Sequence, residues 1–548
     1  MKKRTPPYSF SQMKKLPIGV QSIREILEED QVYIDKTMFA KDLITTGKHY
    51  FISRPRRFGK SLFINTLEEI FKGNKELFKD CKIYESGYDW QKYPVLYLDF
   101  SKIASRTPDH LETALQVRLE IIAKEHDISI VTTDIQVALD TLVVRLSNKY
   151  RKKVAVLIDE YDKPIIDHLE DLDVARKNRD ILKDFFGTIK SLDKHLKFTF
   201  ITGISKFSRV SLFSALNNLN DITMEPKYAG MMGYTEEELR ASFRDHIQKI
   251  AQERSQLGNL VPEEKVIDEV RNWYNGYRFS EGKLCVYNPF STLKFMQSKK
   301  PKTYWYSTGT PSFLIHQLKE HLESMVSLDG TTATEEELMD ISSLEQINLE
   351  ALMYQTGYFT IKDYNSISNR YLLGLPNEEV RSAFINSLVK NFAPITKLRS
   401  SRECVEALEK HQPSLLFNQI EIGLSSFAYQ VFVDAKERTY QAMLLSMLHG
   451  MGFNPLSERS INTGRIDVIL EVPKTTYILE LKLDGSADKA LKQIHEKQYF
   501  KPYTHKGKHI VIIGANFSSE ARNVSEWKGE LLSESGEKIR ELFPGEGE

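Results

Sequence analysis

The stretch Tyr50-Phe51-Ile52-Ser53-Arg54-Pro55-Arg56-Arg57-Phe58-Gly59-Lys60-Ser61-Leu62 runs from a short apolar strand through a basic turn into the start of a helix. A strand that turns directly into a helix beginning Gly-Lys-Ser confines the surrounding fold to a layered α/β arrangement. It also aims the unpaired N–H groups of the helix start at one point, where an anion is stabilised. Arg57, Phe58, Gly59, Lys60, Ser61 and Leu62 are therefore expected to surround the phosphates of ATP, with Lys60 reaching the terminal phosphates and the Ser61 hydroxyl binding Mg²⁺. The glycine that usually opens such a loop is here Arg54, five residues before Gly59, so the match is partial. The plainer alternative is a polar helix start with Ser61 near the cap.

A second run supports the nucleotide reading. Val154-Ala155-Val156-Leu157-Ile158-Asp159-Glu160 is continuously apolar, as a strand buried on both faces must be, and ends in two carboxylates. Beside a phosphate loop this is a Walker B pattern, which assigns Asp159 to the metal and Glu160 to orienting the attacking water. Taken alone, an ordinary buried strand with an acidic turn, prolonged by Asp162, explains it as well. Tyr93 to Phe100 and Lys197 to Gly203 read as further strands, and their alternation with helical stretches predicts a doubly wound parallel sheet. Thr202 falls at a strand end, as a sensor of the terminal phosphate would. Ser205, Lys206 and Arg209 follow on the same side, and one of them or Arg57 is a candidate for neutralising transition-state charge, against the alternative of a surface basic cluster.

The 548 residues exceed one hydrophobic core, and 75 basic against 75 acidic side chains remove net charge as an argument about nucleic acid. Lys2-Lys3-Arg4 has no apolar segment behind it, and no apolar run approaches the roughly 20 residues that span a bilayer. A cytoplasmic, soluble protein with no membrane partner is expected. Cys81, Cys285 and Cys404 lie far apart, as reduced core residues of such a protein would, and the thirteen histidines show no zinc-protease spacing.

From Thr235-Glu236-Glu237-Glu238 a capped helix begins, and the chain to about residue 420 reads as largely helical. Its aromatic runs, Trp273-Tyr274-Asn275-Gly276-Tyr277-Arg278-Phe279 and Tyr304-Trp305-Tyr306, suit packing between helices better than platforms for stacking bases.

Near the C-terminus, Gly464-Arg465-Ile466-Asp467-Val468-Ile469-Leu470-Glu471 and Tyr477-Ile478-Leu479-Glu480-Leu481-Lys482-Leu483 both alternate and read as a hairpin. With the turn centred between Lys474 and Thr475, Asp467 is expected opposite Lys482, and Glu480 on the same face. Ile466, Val468, Leu470, Leu479, Leu481 and Leu483 are expected on the other face, against a helix. Asp467, Glu480 and the intervening carbonyl offer hard oxygen ligands for Mg²⁺ or Mn²⁺, and Lys482 a charge for activating water or stabilising a phosphorane. The simpler alternative is a cross-strand ion pair in solvent. Upstream, Glu437 and Gln441 share a helix face at i,i+4; downstream, Ser486 caps a helix carrying Gln493, and His509 to Gly514 supplies another strand.

On Tyr33-Ile34-Asp35-Lys36-Thr37, Arg54 to Ser61, Ile158 to Asp162 and Thr202 to Ser208, the chain resembles bacterial AAA-ATPase-like proteins that carry a C-terminal PD-(D/E)XK nuclease superfamily domain. The resemblance implies that Arg54 is ordinary for the family. It places Asp467, Glu480 and Lys482 in the nuclease motif, Gln493 on the following helix and Glu437 on the first. The expected architecture is an α/β P-loop domain of AAA/STAND-like type at 1–235, a mostly helical lid or linker at 236–420, and a restriction-endonuclease-like α/β domain at 421–530. The expected function is ATP-gated, metal-dependent cleavage of DNA or RNA, an ATPase and nuclease in one chain, with a homo-oligomer left open. Two alternatives remain at this stage: a nucleotide-dependent switch or binding module that does not cut, and a phosphotransferase using the P-loop on a small substrate.

Overall fold

The computed structural model describes residues 13–131, 134–206, 218–256, 260–305, 331–339, 348–384, 401–425, 437–451, 453, 455–461 and 464–545. They form two compact units, one built from residues up to 305 together with 331–380, the other from 381 onward.

The first unit is organised by five parallel strands, β1 (His49–Ser53), β2 (Val95–Asp99), β3 (Val154–Asp159), β4 (Leu196–Gly203) and β5 (Asn220–Asp221), in the order β2-β3-β4-β1-β5. Parallel strands need crossovers, and helices supply them. α1 (Lys60–Phe71) follows β1 and packs on β2 and β3. Between β2 and β3 run α2 (Pro108–Glu125) and α3 (Ile135–Tyr150), and α4 (Leu172–Ser191) leads into β4; the Thr107, Asp134 and Asp171 side chains cap them. All five residues of β1 and all six of β3 are buried, which is why these segments are apolar throughout. Because β4 lies between β1 and β3, its last residues fall between the basic turn after β1 and the carboxylates after β3.

Beyond the sheet, α5 (Glu236–Ser242) opens with a capping box between Thr235 and Glu238. α6 (Arg244–Gln256), α7 (Glu263–Tyr274) and α8 (Pro289–Ser298) bury Phe243, Ile247, Val270 and Phe295 in one cluster. α9 (Leu349–Thr356) precedes a small antiparallel sheet, β6 (Thr332–Ala333), β7 (Thr360–Asn365) and β8 (Arg370–Gly374), in the order β6-β8-β7. The helical reading does not foresee this sheet, because β7 turns polar after Ile361, where its pairing shifts register. Tyr274, Tyr277 and Trp305 are fully enclosed and Phe279 nearly so, so these four rings are packing; Trp273 and Tyr304 are half-buried, and Tyr306 lies outside the described residues.

The second unit carries a six-stranded sheet in the order β14-β13-β12-β11-β10-β9. Its strands are β9 (Leu456–Ile461), β10 (Gly464–Glu471), β11 (Thr475–Leu483), β12 (His509–Ser518), β13 (Asn523–Leu532) and β14 (Lys538–Leu542). Only β11 and β12 pair in parallel, and α12 (Ala487–Lys497) makes that crossover. α10 (Ser414–Leu424) and α11 (Glu437–Gly450) join Val468, Leu470, Leu479 and Leu481 in one core; α12 closes a second with Ile469, Ile478, Ile510 and Ile512.

The β10–β11 hairpin corrects two expectations. Val472 and Thr475 exchange backbone hydrogen bonds, which centres the turn between Pro473 and Lys474, and Val468 pairs with Leu479. One step further along the ladder, Asp467 falls beside Glu480 and not opposite Lys482. A displacement of two residues preserves the face, so the ionisable groups still converge. Ile466 joins the α12 cluster, not that of Val468 and Leu470, whereas Leu483 stays with the latter.

Cys81 and Cys404 are buried, Cys285 is partly so, and all three are free thiols. No helix among the described residues is long and apolar enough to cross a membrane.

Candidate functional site

The turn after β1 is shaped by two left-handed residues, Arg57 at φ 69° and Gly59 at φ 89°. Among the described residues, no protein acceptor meets the backbone N–H groups from Arg57 to Leu62. Six consecutive free donors at a helix start form an anion cradle. A cavity of about 350 Å³ opens beside it, lined by Arg57, Gly59, Lys60, Ser61 and Leu62 and, from the β3 side, by Glu160.

Lys60 is buried and donates to the carbonyls of Arg54 (2.8 Å) and Pro55 (3.0 Å). Burial lowers its pKa, opposed by the nearby charges of Asp159, Glu160 and Asp162. Arg54 turns away from the cradle: its Nη1 donates to the carbonyls of Ser53 (2.9 Å) and Thr223 (2.7 Å), and its guanidinium stacks 4.2 Å from the centre of the Phe279 ring. Burial pushes its pKa down to about 10. An arginine thus replaces the opening glycine without obstructing the phosphate position. Phe58 likewise leaves the cavity, meeting Tyr277 and Phe279 edge-on with ring centres 4.8 and 5.5 Å apart. Only its backbone belongs to the cradle.

Asp159 is buried at the end of β3, and its Oδ1 accepts from the Thr202 hydroxyl (2.7 Å) and the Glu160 N–H (3.0 Å). Thr202 therefore stands where a sensor is expected, but its hydroxyl is spent on orienting Asp159, and neither residue lines the cavity. Glu160 adopts φ 52°, and burial raises its carboxyl pKa against the pull of Lys60. Asp162 accepts three hydrogen bonds, from the Ile204 and Ser205 N–H groups and the Ser205 hydroxyl. Lys206 is buried in an ion pair with Asp221. Ser205 and Lys206 thus brace the strand ends and do not face the cavity, and Arg209 lies outside the described residues.

The remaining cavity walls were not legible in sequence. Pro17, Gly19 and Gln21 approach from before the sheet, and Tyr234, Pro289 and Phe290 from beyond it. The Arg57 guanidinium sits 4.8 Å from the centre of the Phe290 ring. Only Gly19, at φ 79°, carried a local signal, and a glycine turn has many other causes.

In the second unit, Asp467, Glu480, Lys482 and Gln493 converge on β10, β11 and α12. Lys482 Nζ donates to Glu480 Oε1 (3.1 Å) and to the Leu481 carbonyl (3.0 Å), while the Gln493 amide reaches the same Glu480 oxygen. Asp467 Oδ2 accepts the Leu481 N–H (2.8 Å). α11 holds the hairpin from the other side: Gln441 donates to the Asp467 carbonyl (2.9 Å) and Glu437 accepts the Leu483 N–H (3.2 Å). Burial and the Asp467 charge push the Glu480 carboxyl up to about 8, and Lys482 only partly offsets them. Lys482 is itself raised, since the carboxylates outweigh its burial.

No group of three or more His, Cys, Asp or Glu side chains suited to a metal occurs among the described residues. A cation here would draw on the Asp467 and Glu480 carboxylates and the Leu481 carbonyl, all oxygen donors, as Mg²⁺ prefers. Glu480 Oε2 fits that role, being buried with no hydrogen-bond partner.

Residues 17–213 match the family model of a predicted AAA-ATPase, and residues 435–527 that of the PD-(D/E)XK nuclease superfamily. An uncharacterized protein in the vnfD 5′ region of Azotobacter chroococcum mcd 1 is 35% identical, over 93% of this chain and 98% of its own. The Aeropyrum pernix ORC2 protein, solved as ADPNP-ADP complexes, aligns with 67% of this chain and 98% of its own at 11% identity and a TM-score of 0.21. With the Azotobacter protein matched along nearly its whole length, the chain belongs to that protein's family, in which a predicted AAA-ATPase domain is followed by a PD-(D/E)XK nuclease superfamily domain.

Proposed function

We propose that the protein is a nucleotide-gated nuclease: ATP binds at the cradle after β1, and a metal-dependent centre on β10 and β11 cleaves phosphodiester bonds of nucleic acid. The observation that carries the reading is the meeting of Asp467, Glu480, Lys482 and Gln493, with one buried Glu480 oxygen left without a partner.

At the first site, the cradle N–H groups and Lys60 would neutralise phosphate charge, Ser61 would hold the magnesium ion that accompanies the nucleotide, and Asp159, fixed by Thr202 behind the cavity wall, would act on that ion through water. Glu160, whose raised pKa improves it as a proton acceptor, orients water against the terminal phosphate. At the second, Asp467 and Glu480 bind a divalent cation, which supplies Lewis acidity and a more acidic water when bound. Lys482 then places its charge where the pentavalent phosphorus accumulates negative charge, and Gln493 keeps Glu480 in position. ATP with magnesium or manganese, and DNA or RNA, are the corresponding ligands.

Purified protein incubated with Mg²⁺ or Mn²⁺, with and without ATP, should cut linear, supercoiled or single-stranded substrates. Asp467→Ala and Lys482→Ala should each lower the rate by at least about 100-fold with the fold retained. An intact substrate panel under all these conditions would reject cleavage. One observation favours a module that binds without cutting: Lys482 already occupies Glu480 Oε1 and the Leu481 carbonyl. In that case Glu480→Ala leaves nucleotide-dependent binding of the partner unchanged, while Lys60→Ala abolishes it.

A further inference from the structure

The cradle is built by residues 54–62, but the surface on which it rests comes from much later in the chain. Phe58 lies on Tyr277 and Phe279. Pro55 lies so close to Gly357 that a Cβ there would come within 2.7 Å of the proline ring. Between these contacts stands Trp305, wholly buried and edge-on to Tyr358 at 5.2 Å. Its indole N–H donates to the carbonyl of Arg56 at 3.1 Å. Its own backbone N–H donates to Glu379 Oε1 at 2.7 Å, and Glu379 is itself fully enclosed.

The peptide between Arg56 and Arg57 is trans, so its C=O and N–H point in opposite directions. Holding the Arg56 carbonyl on the indole therefore turns the Arg57 N–H away from Trp305. Arg57 is the first of the six free donors and has the left-handed backbone that bends the chain into the cradle. Without the indole, the Arg56–Arg57 peptide is free to rotate and the cradle loses a fixed dipole.

We propose that Trp305 and Glu379 are positioning residues of the nucleotide site: Glu379 fixes Trp305, and Trp305 fixes the Arg56–Arg57 peptide that begins the phosphate cradle. The proposal rests on the reading of that cradle as a nucleotide site. Neither residue touches the cavity; both act through the loop. Glu379 also stands one residue before the last of the first unit, Val380, so nucleotide binding at the loop is linked by two hydrogen bonds to the point where the chain passes into the second unit.

The test is titration of the full-length protein with a fluorescent ATP analogue and Mg²⁺, with thermal unfolding recorded in parallel. Trp305→Phe keeps most of the ring and removes the indole donor; it should weaken binding about three- to tenfold, the range of one hydrogen bond. Glu379→Ala should weaken it similarly, and Glu379→Gln, which retains an acceptor oxygen, should restore it to within about twofold. A folded Trp305→Phe protein that binds as wild type, while Lys60→Ala does not bind, overturns the latch and leaves the nucleotide site standing. If Trp305→Phe fails to fold, equal affinity of Glu379→Ala and wild type overturns it. Wild-type protein with no nucleotide affinity rejects the site and the latch together.

Discussion

Glu480 sits in an environment far from that of an ordinary surface glutamate. Its carboxyl is buried beside Asp467 and raised from 4.5 to about 8. The folded protein therefore holds that proton more tightly than the unfolded chain, so this group's contribution to stability is fully present below about pH 4.5 and is lost as the pH rises toward 8. Denaturant titrations of the metal-free protein should show stability falling with pH across that window, and Glu480→Gln should flatten the fall. A divalent cation displaces the same proton, so its affinity should rise with pH in wild type and be lost in the variant. The two carboxylates and the lysine were legible because a strand's period of two fixes which side chains share a face. The partner of each was not, because a turn one residue earlier at each end gives the same pattern. Arg54 marks the opposite limit: it stands where such a loop usually opens with glycine, and its side chain runs into the interior toward Thr223 and Phe279.

At the level of elements, the strand ends before Gly59 and after Ile158 were foreseeable from unbroken apolar runs, and the order β2-β3-β4-β1-β5 then brings them to either side of Thr202. The hairpin of β7 and β8 was not, since β7 turns polar after Ile361 and β8 offers only the short apolar run Tyr371 to Leu373. Helix α12 depends on an absence: Gly514, beside Glu480 on β12, allows the helix backbone to lie against the sheet. A Cβ there would stand 2.3 Å from the Ala487 carbonyl oxygen and 2.8 Å from the Leu491 nitrogen. Because these are backbone atoms, Gly514→Ala should push α12 outward. We expect a loss of about 1–3 kcal/mol in chemical denaturation, the usual cost of overpacking. Nuclease activity should fall further than stability alone explains, because the Gln493 amide leaves Glu480.

For the whole molecule, the proposed gating requires that the two sites be separable by mutation and coupled by nucleotide. Lys60→Ala should abolish the effect of ATP on cleavage while leaving the metal-dependent basal rate within about twofold of wild type, measured on the same substrate with and without ATP. A variant that loses both would place Lys60 in the integrity of the fold and not in signalling. The first unit is also discontinuous along the chain. The loop at 54–62 needs Tyr277, Phe279, Trp305 and Gly357 behind it, so a ribosome that has delivered the whole parallel sheet has still not delivered the backing of its most important turn. A nascent chain halted near residue 235 holds Phe58 with no ring to meet. The cradle is among the first parts of its unit to be translated and among the last to gain its support, so a polypeptide that stops short of Gly357 carries the turn without the surface that shapes it.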